Sequence, residues 1–286
     1  MKEHSGEFPV KKMAEVLRVT RSRYYAWKGS PQTRHKGRDN ELAVEINRIF
    51  EQYDKLYGSP RIWRELIEQG NRCSRKRVAR IMREKGLRGR QKRVHRITTD
   101  SRHEYPVSPN LVQREFSAAG PNQVWVSDIT YIATWEGWLY LCIVLDLYSR
   151  MVVGWAMESH MRAELATGAL VMAVTHRRPS EGLIFHSDRG IQYASNTFRE
   201  KLASYKMIQS MSRKGDCWDN ACAESFFATL KTEEVFRRTY KTREQARESI
   251  FHYIEVFYNR RRKHSFLDYL SPADFEVLNG GGKHAA

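Results

Sequence analysis

Cysteine is scarce in this 286-residue chain. Its copies, Cys73, Cys142, Cys217 and Cys222, show no paired zinc-ligand spacing and set up no disulfide framework. A stapled secreted scaffold is thereby excluded. Long apolar runs are missing too: WLYLCIVL, from Trp138 to Leu145, is far too short to span a bilayer. No secretory signal pattern is recognisable, so a reducing, cytoplasmic compartment is expected. Acidic residues are thin in one part of the chain. Residues 1–120 hold 28 of the 49 Lys and Arg but 14 of the 33 Asp and Glu, a net charge near +14 against near +2 for residues 121–286. Such asymmetry is expected of an amino-terminal module that binds a polyanion.

What is present begins with short helices. Residues 8–29 read as two helices around Arg18-Val19-Thr20, with Thr20 as N-cap of the second. Val16, Leu17 and Val19 are expected to pack against Tyr24, Tyr25 and Trp27, giving a short helix-turn-helix-like segment over residues 1–30. After a Pro- and Gly-containing connection, residues 40–96 read as a second, basic helix-turn-helix-like domain. Leu42, Ile46, Ile49, Phe50 and Tyr53 recur at helical spacing. Pro60 suits the first turn of the next helix. Ser74 caps a third, which turns Val78, Ile81 and Met82 inward and closes at Gly86. Arg75, Lys76, Arg77, Arg80 and Arg83 are left to face outward. A basic run alone is usually a solvated face; on a capped helix following a turn, these five point to DNA. Residues 97–120, poor in apolar side chains, read as an extended linker.

From residue 121 the character changes to an α/β core reaching residue 276, with a disordered tail over 277–286. Val124–Thr134, Trp138–Leu147 and Met151–Met157 read as three meandering strands. A helix over Ala163–His176 and a strand over Leu183–Phe185 follow, then a helix over Ser195–Tyr205, a short strand over Ile208–Met211, and a long helix over Thr242–Arg262.

Three acids stand out. Asp128 lies inside an apolar strand, where an unpaired carboxylate costs several kcal/mol. Asp188 falls just past a strand end, where sites gather in α/β sheets. Glu224 follows with 35 residues intervening, and Lys231 comes seven later. Seven helical steps of about 100° make nearly two turns, so a helix from Asn220 puts Glu224 and Lys231 on one face, roughly 10 Å apart. Three carboxylates with a lysine beside them suit a divalent-metal site next to a phosphate-binding surface. Other acids have plainer readings: Asp146 caps a turn, Asp219 caps the Glu224 helix, and Asp216 touches DNA indirectly from the loop over Ser212–Trp218. His186 is either a support for Asp188 or a core histidine. Arg260 to His264 with Tyr269 suggest a tyrosine recombinase only superficially, since no second Arg/His box matches.

The stretches WVSDITYI, GWLYLCIVLDLYSR, VVGWAM, HSDRGIQYAS, SMSRKGDCWDNACAESFF, LKTE and YIEVFYNRRRKHSFLDYLSP closely resemble the integrase-core subunit, encoded by the second reading frame, of DDE insertion-sequence transposases of the insertion-sequence-three kind. The resemblance implies a ribonuclease-H-like, retroviral-integrase-type catalytic core preceded by an all-α helix-turn-helix region. It implies metal-dependent DNA cleavage and strand transfer through Asp128, Asp188 and Glu224, using Mg²⁺ at two ions per site, with Mn²⁺ able to substitute. Asp128 would bridge both ions. Lys231 matches a position associated with the element's terminal DNA, and Arg213 and Lys214 join the expected DNA contacts. Retroviral integrases carry an amino-terminal His/Cys zinc domain, and no such spacing occurs here. Asp268 stands where the family more often has Gly. Expected partners are the element ends and target DNA, further copies of the chain on DNA, and an upstream-frame protein with a helix-turn-helix and a leucine zipper, fused or in trans. The heptad candidate here, Leu42–Tyr53, is too short to be a zipper. The compartment implied is the bacterial nucleoid. A DNA-binding regulator without catalysis and a plain ribonuclease-H-like nuclease are the alternatives.

Overall fold

Apolar side chains recur every three or four residues from Leu42 to Tyr53, and the chain there is helical, as the period requires. The structure, a computed structural model, describes residues 1–28, 34–90, 105–213 and 217–279 and divides into two units, Met1–Gly89 and Arg90–Ala286. The first is all-helical: α1 (Val10–Val16), α2 (Arg21–Lys28), α3 (Arg34–Gln52), α4 (Ser59–Glu68) and α5 (Arg75–Glu84). Ile46 and Ile49 of α3, Ile62 and Leu66 of α4, and Val78 and Ile81 of α5 form its buried centre. Ser74 caps α5 by accepting from Arg77 N, and Thr20 accepts from Arg23 N at the start of α2.

The packing expected around α1 and α2 does not form. Val16, Leu17, Val19, Tyr25 and Trp27 are all exposed, and only Ala14 and Tyr24 are buried among the described hydrophobics there. Helices of seven and eight residues turn about one side chain per turn inward, too few to cover both sets.

In the second unit β1 (Val124–Thr134), β2 (Gly137–Asp146), β3 (Val152–Glu158), β4 (Ile184–Ser187) and β5 (Ile208–Met211) form one sheet in the order β3-β2-β1-β4-β5. The first three meander antiparallel, whereas β4 runs parallel to β1 and β5 parallel to β4. Alternation along β1 supplies both faces. Val126 and Ile132 enter one apolar layer with α9 (Ala221–Glu233), α10 (Arg243–His252) and the π-helical turn Tyr253–Tyr258. Trp125 enters the other, with α6 (Ala163–Arg177), α7 (Ile191–Ala194) and α8 (Asn196–Ser204). Gly154 lets α6 approach closely: a Cβ there would lie 2.3 Å from the Ala169 carbonyl oxygen. The fold is ribonuclease-H-like.

Three expectations need correction. From Tyr105 onward the expected linker is part of this unit. Val112 is buried in the first layer with Phe116 and Ala118 against it, and Leu111 N donates to Ser210 Oγ at 2.9 Å. Its few apolar side chains disguised a strap held largely by polar bonds. The helix expected over Thr242–Arg262 is regular only to His252, then widens into the π turn. Residues 277–279, expected in the tail, belong instead to α11 (Pro272–Asn279), which is held to α6 by Arg177, whose guanidinium donates to both Glu276 oxygens at 2.7 and 2.8 Å; residues 280–286 lie outside the described residues. Asp268 and Tyr269 adopt φ of +49° and +63°, so the turn keeps the left-handed backbone that favours glycine.

Candidate active site

The last parallel pair between β1 and β4 is Ser127 with Ser187. Asp128 and Asp188 come next, side by side on neighbouring chain segments. Asp128 pairs across β1–β2 with Ile143 and so faces the layer covered by Ala223, Phe226, Phe227 and Leu230 of α9. Glu224 of that helix lies within electrostatic reach of Asp188 and of Asp128. The three acids therefore converge, each half-buried.

Their charges oppose one another. Burial, and after it the Asp188 charge, pushes the Asp128 carboxyl well above the usual carboxylate range. A 2.8 Å bond from Ile129 N and the charge of Lys231 pull the other way. Glu224 is pushed up by burial and then by Asp188. Lys231 is pushed below the usual ammonium range by burial, with Asp128 opposing the shift. Its Nζ lies 5.0 Å over the ring of Tyr131.

A buried polar frame fixes the strand ends. Asp188 Oδ1 accepts from Gly190 N at 2.9 Å, and Tyr193 and Ser127 share a 2.8 Å hydroxyl bond beneath the site. Asn220, at the start of α9, donates to the Ser127 carbonyl at 3.0 Å. His186 bonds Ser210 Oγ at 2.8 Å and the Asp219 carbonyl at 3.0 Å. Burial pushes it down to about 4, so it is a neutral core histidine tying β4 to the approach of α9. Cys142, with its thiol pushed up to about 12 by burial, is a core residue.

The competing acids find other work. Asp146 accepts from Tyr148 N at 2.9 Å and Asn122 N at 2.7 Å, the turn-capping role expected. Asp219 is not a helix cap. Its buried carboxylate gathers the Arg213 guanidinium (3.0 Å), Arg114 Nε (3.1 Å) and Asn110 Nδ2 (2.9 Å), and Arg213 first of all holds it far below the usual range. Lys214 and Asp216 lie outside the described residues. In the amino-terminal unit Arg75, Lys76 and Arg83 are exposed, but Arg77 and Arg80 each reach Asp39 of α3 at 2.6 Å.

Sequence reasoning missed the anchor of α9. Glu233, in its last turn, accepts twice from Arg262 at 2.7 Å and once from Tyr253 at 2.8 Å. The guanidinium is 4 % exposed. Only the spacing of Glu233 from Glu224, nine residues on the same helix, hinted at it.

Among the described residues, no group of three or more His, Cys, Asp and Glu side chains is drawn together to ligate one ion. The donor set still fits a hard cation. Mg²⁺ is held by one or two carboxylates, completing its shell with water and substrate phosphate. Burial, and after it the neighbouring carboxylates, raises the Asp128 and Glu224 carboxyls, a strain that a bound cation would relieve. Among the described residues no helix is long and apolar enough to cross a membrane.

Residues 118–217 and 224–278 match families described as integrase core domain, and residues 37–95 match one described as HTH-like domain. Transposase InsF for insertion sequence IS3A, from Escherichia coli K12, is 43% identical over 282 residues, covering 98% of each chain. A protein of insertion element IS600 from Shigella sonnei is 45% identical over 263 residues, 92% of this chain and 97% of that one. Among solved structures, a chain of the simian T-cell lymphotropic virus intasome is 14% identical with a TM-score of 0.49, covering 84% of this chain and 77% of that one. With an integrase core preceded in sequence by an HTH-like region, and kinship along nearly its whole length, the chain belongs to the IS3 family of transposases, polynucleotidyl transferases of insertion sequences.

Proposed function

We propose that Asp128, Asp188 and Glu224 are the catalytic triad with which this transposase cleaves and joins DNA strands. The observation that carries this is the β1–β4 register, which sets two carboxylates side by side under a third from α9. The triad would hold two Mg²⁺ ions, or Mn²⁺ in their place, with Asp128 shared and Asp188 and Glu224 holding one each. When bound, the ions supply Lewis acidity to the attacking and leaving oxygens of an in-line displacement at phosphorus. The attacker is first water and then a freed 3′-hydroxyl. Lys231 stands beside Asp128 to neutralise a phosphate of the entering strand. The Glu233–Arg262 pair holds the far end of α9, so Glu224 keeps its place while charge changes around it.

Arg75, Lys76 and Arg83 supply the open phosphate contacts of the α5 recognition helix, with Arg77 and Arg80 available once released from Asp39. Arg213 and Lys214 serve at the core. The chain would work on nucleoid DNA as an oligomer, paired with an upstream-frame helix-turn-helix and zipper protein, because its own heptad run is too short to dimerise. The test is Mg²⁺-dependent joining of labelled element ends by the full chain, with and without that protein. Joining that survives Asp128→Asn rejects the triad. Efficient, end-specific joining without the upstream protein rejects the partner.

A further inference from the structure

Strand β4 reaches along β1 only as far as Ser127, and among the described residues no strand pairs with that edge again until Thr134 meets Tyr240. The far end of the β1–β2 hairpin borders this stretch and carries aromatic rings on its surface. Tyr131 is 38% exposed, Trp138 48% and Trp135 71%. Tyr131 and Trp138 meet edge to face at 4.8 Å. Large rings left in water forgo part of the free energy of burial, and clustered exposed rings mark a binding surface.

The cluster is built to stay in place. Gly137 turns the hairpin at φ +103°, a value other residues resist. Trp135 N donates to the Tyr240 carbonyl at 3.1 Å, and Arg243 Nε donates to the Trp138 carbonyl at 3.1 Å. The tip's acid, Glu136, is engaged by Arg243 N at 2.8 Å. Cations sit on the rings: Lys231 Nζ is 5.0 Å from the centre of Tyr131, and Lys241 Nζ 5.7 Å from that of Trp135. Lys231 reaches the Tyr131 ring from α9, the helix that also carries Glu224, so this cation joins the rings to the helix of the carboxylate site.

Rings interleaved with lysines fit a ligand that is both flat and anionic. Base pairs in a closed duplex hide their faces from such a surface, whereas unpaired bases stack on it whatever their sequence. We infer that Tyr131, Trp138 and Trp135, with Lys231 and Lys241, form a stacking platform for unpaired nucleotides of the DNA end whose phosphodiester enters the carboxylate site. The platform thus rests on the triad reading and adds to it how the strand is held open beside the site.

The experiment measures binding of the full chain, in chelator, to a blunt duplex and to one with several unpaired terminal nucleotides ending in 2-aminopurine. Wild type is expected to prefer the open end and quench the probe. Trp138→Ala and Tyr131→Ala should each lose about tenfold of that preference and most of the quenching, while Trp138→Phe retains both. Equal loss on blunt and open ends, or no loss, overturns the platform. So does an intact preference with a changed sedimenting mass of the DNA-free chain, which would make the face a contact between copies. No metal or cleavage enters this measurement. Joining by Asp128→Asn, tested separately, sinks the triad without touching the stacking result.

Discussion

Asp39 of the amino-terminal unit and Asp128 of the core are the same side chain in opposite surroundings. Hydrogen bonds from Arg80 and then Arg77 hold Asp39 below the usual carboxylate range, whereas burial and Asp188 drive Asp128 above it. The first unit has more cations than its own acids can match, and Arg75, Lys76 and Arg83 remain exposed. The core gathers acids at one point with Lys231 as the cation acting on Asp128. Each unit therefore carries a charge problem that it cannot solve internally. On the proposed reading a polyanion would complete one and divalent cations the other, which makes binding and chemistry separable by mutation.

The largest effect expected is at the core. Asp128→Asn, Asp188→Asn or Glu224→Gln should lower joining by about 10³-fold or more, since the ions contribute several kcal/mol of charge stabilisation. DNA affinity in gel shift should stay within about twofold of wild type. A variant that loses both together breaks the separation. Next comes Glu233→Gln, which strands the Arg262 guanidinium and should cost about 3–5 kcal/mol in urea unfolding. Replacing both partners by apolar residues, Glu233→Leu with Arg262→Met, should recover most of it. A double replacement as unstable as the single one would show that the pair does more than match charge.

Smaller effects sharpen the amino-terminal side. Asp39→Asn frees Arg77 and Arg80 and should raise DNA affinity several-fold, steepening the salt dependence by about one contact. Arg75→Ala should flatten it by about the same. Unchanged slopes in both would remove α5 from the DNA. The smallest effect concerns Asp219. Its carboxyl is depressed in the fold, so the stabilisation is complete above the ordinary value of 3.8 and fades as pH falls below it. Asp219→Asn should cost about 1–3 kcal/mol at neutral pH and show a shallower acid limb in thermal melts between about pH 4 and 2. Parallel limbs in the two proteins would reject the assignment.

The strands, the helix carrying Glu224 and the place of Asp188 were readable because each depends on near neighbours in sequence. An apolar run ending at Phe185 sets Asp188 just past a strand, which in the fold extends to Ser187, and helical spacing sets Glu224 with Lys231. Other features depend on distant groups. The capping preference of Asp suggested a cap at Asp219, but Arg114, more than a hundred residues earlier, competes for the same carboxylate. Nothing in Arg260 to Lys263 announces that Arg262 pairs with a buried acid on α9. Val112 looked like linker because polar residues surround it, yet bonds from Asn110 to Asp219 and from Leu111 N to Ser210 hold that stretch against the core. The exposed side chains of α1 and α2 show the reverse error, in which apolar spacing promised a contact that short helices do not make.

The bond between Glu233 and Arg262 also orders events during synthesis. The ribosome delivers Asp128, Asp188 and Glu224 before it delivers Arg262, so α9 emerges with its last acid unmatched. Chains stalled ahead of Arg262 should fail to join DNA although they contain every acid of the triad. A broken message would then yield an inert fragment, one that holds every proposed metal-binding acid but lacks the cation that anchors the helix carrying Glu224.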